Sequence, residues 1–344
     1  MSIMGEPQPI LQPLTPSAIF LVATIDEGGE AAVRDLLADL AGLRRSVGFR
    51  LPGAGLTCIV GIGSKAWDRL FSGPRPAELH EFPGYAGPRH QAPATPGDLL
   101  FHIRAEVHDA CFELAMAIGK RLDGAATIVD ETTGFRYFEQ RDLLGFVDGT
   151  ENPEGALAGS PAGRVALVGD EDPDFTCGSY VIVQKYVHKM SEWAATSVEE
   201  QERVIGRTKL DDFELPDEVK PANSHVAVNT IVDPDGTERQ ILRANMPFGS
   251  IRDNEMGTYF VGYSATPSVT EQMLIRMFLG SDEAAYDRIL DFSTAVTGGL
   301  FFVPAQDFLD DLPDPPGASP ADDATPAAPA ADGSLGIGTL KRSS

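Results

Sequence analysis

Paired cysteines are missing from this chain, and so is any excess of positive charge. The three cysteines, Cys58, Cys111 and Cys177, stand far apart, with no C-x-x-C and no C-x-x-C-H. That spacing excludes a zinc ribbon and a covalent c-type haem attachment, and leaves buried free thiols as the expectation. Lysine and arginine number 27 against 51 aspartates and glutamates, a formal net charge of −24. Nucleic acid is a poor partner for such a surface, because phosphate neutralisation needs clustered cations. An anionic membrane surface is equally poor. Long hydrophobic runs are also absent near the start: the apolar stretch 18–25 is too short to span a bilayer, and no basic region or twin arginine precedes it. A cytoplasmic protein is expected.

At 344 residues with 42% hydrophobic content, the chain is long enough for two domains, each with its own core. Three zones follow. From about 17 to 144 the pattern predicts strands at 18–23, 56–61 and 99–104, helices at 29–46 and 107–122, and closing strands at 126–129 and near Phe135. A Pro/Gly-rich loop, 73–97, is too long for a bare connector. The order β-α-β-β-α-β fits a ferredoxin-like unit better than a doubly wound sheet. The second zone, 145–312, repeats this order without a tight sequence repeat. Strands are predicted at 179–187, 240–244, 258–263 and 300–303, and helices at 197–206, 268–278 and 284–296. The third zone, 313–344, begins with Pro, Ala and Asp and no apolar periodicity, so 313–332 should be disordered. It ends in GSLGIGTLKRSS, where apolar residues return.

The most informative stretch is GFVDGTENP, Gly145 to Pro153. Two glycines flank Asp148, which suits a turn holding a carboxylate against something close to the backbone. Alone, this would be an ordinary Asp-Gly turn. With NSHVAVN around His225, ILRANMPFG around Arg243 and DFSTAVTGGLFFVP near 300, in that order, the chain resembles the dye-decolourising peroxidase family over nearly its whole length to about residue 312. The ENP extension and compact length look like its B-type branch.

That resemblance implies an α+β fold of two ferredoxin-like domains, of the dimeric α+β barrel type. They would span 1–144 and 145–312, with a haem pocket in the C-terminal one. It implies one non-covalent haem b per subunit. Of the six histidines, His225 sits in an apolar-bordered segment and would be the axial iron ligand, whereas His188, beside Lys189, reads as exposed. Asp287 would support His225, with Asp291 a close second. Asp148 would be the peroxide-side base, Arg243 the cation stabilising developing charge, and Asn245 a positioning group. Arg207 would face the haem propionates, and Phe260 would line the pocket or be a plain core aromatic. Glu151, Glu214 and Glu238 lie near these segments and could take Mn²⁺ as a substrate, though surface acids are the blander reading.

The expected activity is reduction of hydrogen peroxide with oxidation of phenolic, dye-like or Mn(II) donors through iron-oxo intermediates. A haem-handling protein that carries haem or releases its iron is the alternative. A dimer or hexamer is expected. Residues 333–344 resemble the targeting peptide of encapsulin cargo, with Leu335, Ile337 and Leu340 as spaced anchors for a shell-wall groove, so packaging inside an encapsulin compartment is expected too.

Overall fold

In the computed structural model, residues 5–317 are described; the tail peptide 333–344 lies outside them. The first half holds strands β1 (Ser17–Ile25), β2 (Thr57–Gly63), β3 (Leu99–Ala105) and β4 (Ala126–Phe135), all antiparallel to their neighbours in the order β4-β1-β3-β2. The second half holds β5 (Ser179–His188), β6 (Leu242–Arg243), β7 (Met246–Ser250), β8 (Glu255–Ser264), β9 (Ser293–Ala295) and β10 (Gly299–Val303). Here the order is β10-β5-β8, with β6 and β7 both on the outer side of β8. Each half therefore has the strand order of a ferredoxin-like unit, as expected.

The halves share one sheet, because β10 pairs with β2 through Phe301↔Gly63 and Phe302↔Ile62. The far edges curl towards each other. A Cβ on Gly134 of β4 would stand 2.7 Å from Met246 Cβ of β7, so only glycine permits this approach. The curl gives the sheet an inner and an outer face, which explains why β2 and β3 are buried along their entire length. Phe20, Ile59, Leu100, Val181, Tyr259 and Phe301 fill the inside, where Phe20 stacks on Tyr259 at 4.2 Å.

Outside the first half lie helices α1 (Glu30–Gly48) and α2 (His108–Leu122). Their buried faces follow helical spacing: Val33, Leu36, Leu37 and Leu40 on α1, and Cys111, Leu114, Ile118 and Leu122 on α2. All three cysteines are free and buried, and burial pushes the Cys58 thiol up to about 12, so it is unreactive. The loop 73–97 carries a two-stranded hairpin, Tyr85–Ala86 with Gln91–Ala92, and reaches the second half where Thr95 N–H donates to Gly298 O at 2.9 Å.

Four expectations are corrected. The two closing strands are one, β4, with an irregularity in its pairing opposite Val22/Ala23. The helix expected at 284–296 is instead a 3₁₀ turn, Arg288–Asp291, followed by β9. Asp287 accepts the Ile289 N–H at 3.0 Å, a side-chain bond that competes with helix propagation, and Ser293–Ala295 joins β5 as a strand. His188 is buried, not exposed: Ser293 Oγ lies 2.8 Å from Nδ1 and Thr258 Oγ1 3.1 Å from Nε2. At 313–317 the chain is still tied to the body, since Ser72 N–H and Oγ–H both donate to Asp314 O.

Candidate active site

The outer face of the second half is covered differently. Helix α4 (Pro267–Phe278) packs over β5 and β8, and a short helix, α3 (His225–Asn229), closes one side. Between them lies a cavity that opens to solvent. Phe146, Ile205, Ile241, Phe260, Met273 and Met277 give it apolar walls, and the polar groups gather at two places.

The first is His225. Ser224 caps α3, so the imidazole of the next residue leaves the helix start towards the cavity. Its Nδ1 lies 2.7 Å from Asp287 Oδ2. The Asp287 carboxylate is fully buried, whereas 34% of the His225 side chain is accessible, and that accessible part lines the cavity. A carboxylate at Nδ1 holds the ring proton there and leaves the Nε2 lone pair free for a metal. Burial works against a charged ring, but the Asp287 charge and hydrogen bond outweigh it, and the His225 pKa is raised. Asp291 is not at this position; it accepts from His90 Nε2 and Tyr286 Oη instead.

The second is a constellation built on the GFVDGTENP loop. Gly145 and Gly149 have φ of 94° and 84°, so both occupy the left-handed region that the turn demands. Asn152 then docks the loop, donating from Nδ2 to Arg243 O at 2.8 Å and accepting the Arg243 N–H at 2.9 Å. Asn245 donates to Asp148 Oδ1 at 3.2 Å and accepts the Val261 N–H at 3.0 Å, which fixes the carboxylate against β8. Arg243 Nε is buried with no hydrogen-bond partner among the described residues. Asp148, Arg243 and Asn245 are thus brought together as expected, with a cation left free to meet an incoming anion or polarised oxygen. Phe260 lines the cavity beside them.

At the mouth the picture is more crowded. Arg207 is there, but it is held by Glu151 at 2.7 Å and Asp212 at 3.0 Å, with Glu214 at 3.9 Å. Glu214 also pairs with Lys220. Glu238 lies on the same opening as Glu151 and Arg207. Among the described residues no group of three or more His, Cys, Asp or Glu side chains is arranged to hold a metal ion. Sequence reasoning missed several polar residues of the site, among them Gln184, Asn229, Thr258 and Ser293. Asn152 is legible only as part of a motif. His188 and Asp142 also line the cavity; Asp142 had a faint signal, a D-x₅-D spacing across the Gly145 turn. Burial pushes the Asp142 carboxyl up to about 7.

Two ferredoxin-like halves, one of them opened by a pocket with a carboxylate-backed imidazole and a carboxylate–guanidinium–amide group, define a cofactor-dependent α+β enzyme. Family models described as Dyp-type peroxidase, N-terminal, and Dyp-type peroxidase, C-terminal, match residues 7–136 and 139–308. The dye-decolorizing peroxidase of Rhodococcus erythropolis is 64% identical over 345 residues, covering 100% of this chain and 99% of that protein. Among solved structures, the encapsulated DyP-type peroxidase from Mycobacterium smegmatis is 65% identical with a TM-score of 0.88, over 91% of this chain and 100% of that one. A variant of DypB from Rhodococcus jostii RHA1, in complex with haem, is 56% identical with a TM-score of 0.86, over 90% and 99%; another DypB variant is in complex with manganese. The chain belongs to the Dyp-type peroxidase family, and it is a peroxidase.

No helix among the described residues is long and apolar enough to cross a membrane.

Proposed function

We propose that the protein binds one haem b per subunit without a covalent link, and uses it to reduce hydrogen peroxide while oxidising phenolic or dye-like donors. One observation carries this reading: a single cavity holds His225, backed by buried Asp287, together with the unpartnered guanidinium of Arg243 and the Asn245-oriented Asp148. The residues fit the group. His225 would hold the iron through Nε2, the apolar walls would take the porphyrin, and Arg207 at the mouth would pair with a propionate. Haem, when bound, supplies the two-electron redox chemistry.

The chain's own residues do the rest. Asp148 takes a proton from one peroxide oxygen and returns it to the other, so that water leaves. Arg243 stabilises the negative charge that develops as the O–O bond lengthens, in a dry site where a fixed cation counts for more than in water. Asn245 keeps Asp148 aimed. Phe260 helps keep bulk water out. The domains that provide this are 1–144 and 145–312.

Mn(II) as a donor is the less supported part. Glu151, Glu214 and Glu238 are near the mouth, but Arg207 and Lys220 already neutralise the first two. Residues 333–344 are the docking peptide for an encapsulin shell in the cytoplasm, a reading supported by their sequence and by the encapsulated relative at 65% identity. Self-association as a dimer or hexamer is supported by large exposed apolar side chains such as Phe138, Leu210 and Phe213.

The test is an absorbance spectrum of haem-loaded protein before and after one equivalent of peroxide. A Soret band that converts rapidly, and slowly in Arg243→Leu, is expected. An unresponsive band would favour haem carriage, and no band would overturn the reading. Deletion of 333–344 should abolish co-purification with the shell and leave turnover intact.

A further inference from the structure

Asp142 is a carboxylate lining the cavity that the mechanism above leaves unused. It sits on the same small hairpin as Asp148. Arg141 faces Val147 in an isolated antiparallel bridge; Asp142 N–H donates to Phe146 O at 2.8 Å, and Asp148 N–H to Gln140 O at 2.9 Å. In such a pairing Asp142 stands opposite Phe146, and Asp148 is the next residue on that face. The two carboxylates are therefore diagonal neighbours, about 7–8 Å apart at the backbone. Both line the same cavity. One Asp142 oxygen accepts the Phe146 N–H at 2.9 Å, so the carboxyl is held in place.

Two carboxylates facing one desolvated space do not both ionise easily. The charged groups around Asp142 offset its burial only in part. Lys209, the nearest cation from a neighbouring segment, is bound to Gln201 Oε1 at 2.6 Å and lies over the Phe146 and Trp193 rings. Glu202 accepts the Lys209 N–H. Arg141, on Asp142's own hairpin, turns away to the carbonyls of Gly145, Lys209 and Leu210. From α3 comes His225, already paired with Asp287, and from β5 comes His188, which burial pushes down to about 4 and so keeps neutral. Arg243 lines the same cavity.

We propose that Asp142 is a positioning residue for the peroxide reaction: a protonated carboxyl that leaves Asp148 the only anion on its wall, and whose ionisation towards alkaline pH suppresses anion binding and peroxide chemistry in the pocket. It acts through Asp148 and the field of the pocket; its own proton is not consumed, since the proton leaving peroxide goes to Asp148 and back. The proposal rests on the reading of Asp148 as the peroxide-side base. The direction follows from the charge. Asp142 is neutral below about 7 and adds a negative charge above it.

The test uses the haem-loaded protein and fluoride as the probe. In the wild type, fluoride affinity and the rate of the peroxide reaction should both fall roughly tenfold as pH climbs through neutrality, the size expected for one added charge at this separation. Asp142→Asn, which can still accept the Phe146 N–H, should remove that limb from both profiles. A second measurement does not need that variant to fold: the infrared band of a protonated carboxyl should be present at pH 6 and lost by pH 8.5, and in Asp148→Asn it should be lost at lower pH, because the neighbouring charge is gone. Profiles unchanged in Asp142→Asn, or a band that in Asp148→Asn is absent at every pH or lost at the same pH as in the wild type, would overturn the proposal. A wild type that shows no Soret band or no peroxide response would instead sink the functional reading on which it stands.

Discussion

Asn152 and Arg243 exchange two hydrogen bonds, amide to backbone, at 2.8 and 2.9 Å. The pair locks the loop carrying Asp148 to the segment carrying Arg243, although 91 residues separate them. Asn152→Ala leaves one backbone donor and one acceptor unpaired, a loss of about 1–3 kcal/mol. The expected outcome is a modest fall in melting temperature with a larger fall in kcat/KM for peroxide. Equal loss of stability without loss of peroxide reactivity would show that the lock does not position the site.

Asp287→Asn keeps the shape but removes the charge behind His225. An imidazole without that carboxylate is a weaker ligand, and partners of this kind are worth about 10–100-fold in metal affinity or activity. Haem affinity, measured by transfer to apomyoglobin, should fall within that range. Asp291→Asn, by contrast, should leave it unchanged, because Asp291 bonds to His90 and Tyr286.

Gly145→Ala should be destabilising. The site has φ of 94°, and an added Cβ would stand 2.6 Å from Lys209 Cε. Lys209 can move its tip, so the backbone conformation dominates, at about 1–2 kcal/mol. Thermal unfolding reads this directly, and a shift of zero would mean the turn tolerates a side chain.

His188 gives stability a pH dependence of defined sign. Burial lowers its pKa from 6.5 to about 4 in the folded state, so the unfolded chain binds the extra proton first as pH falls. Its contribution is therefore complete above about 6.5 and is lost as pH drops through 4, by roughly 3 kcal/mol at most. His188→Gln should flatten the melting-temperature profile between pH 4 and 6.5. An unchanged slope there would place the acid sensitivity elsewhere.

Much of the second half was legible beforehand because motif residues cluster along the chain. GFVDGTENP, the His225 segment and the Arg243 segment each carry their chemistry within a few residues, and the 3.6-residue pattern of α1 and α2 needed no partner to be read. His188 was misread because a strand-end histidine beside a lysine says nothing about Ser293 and Thr258, which bury it from 105 and 70 residues away. The 284–296 stretch was misread because helical spacing is a local signal, whereas its strand exists only by pairing with β5.

The sequence by itself determined the family pattern, the two repeated strand–helix orders, the negative surface and the residue types of the peroxide chemistry. Only the tertiary structure decided which carboxylate backs His225, that Arg207 shares its charge with Glu151 and Asp212, and that Asp142 turns into the cavity beside Asp148. The reason is physical. Local pattern depends on neighbours along the chain, but pairing, burial and the field inside a pocket depend on which distant segments the folded sheet brings within a few ångströms.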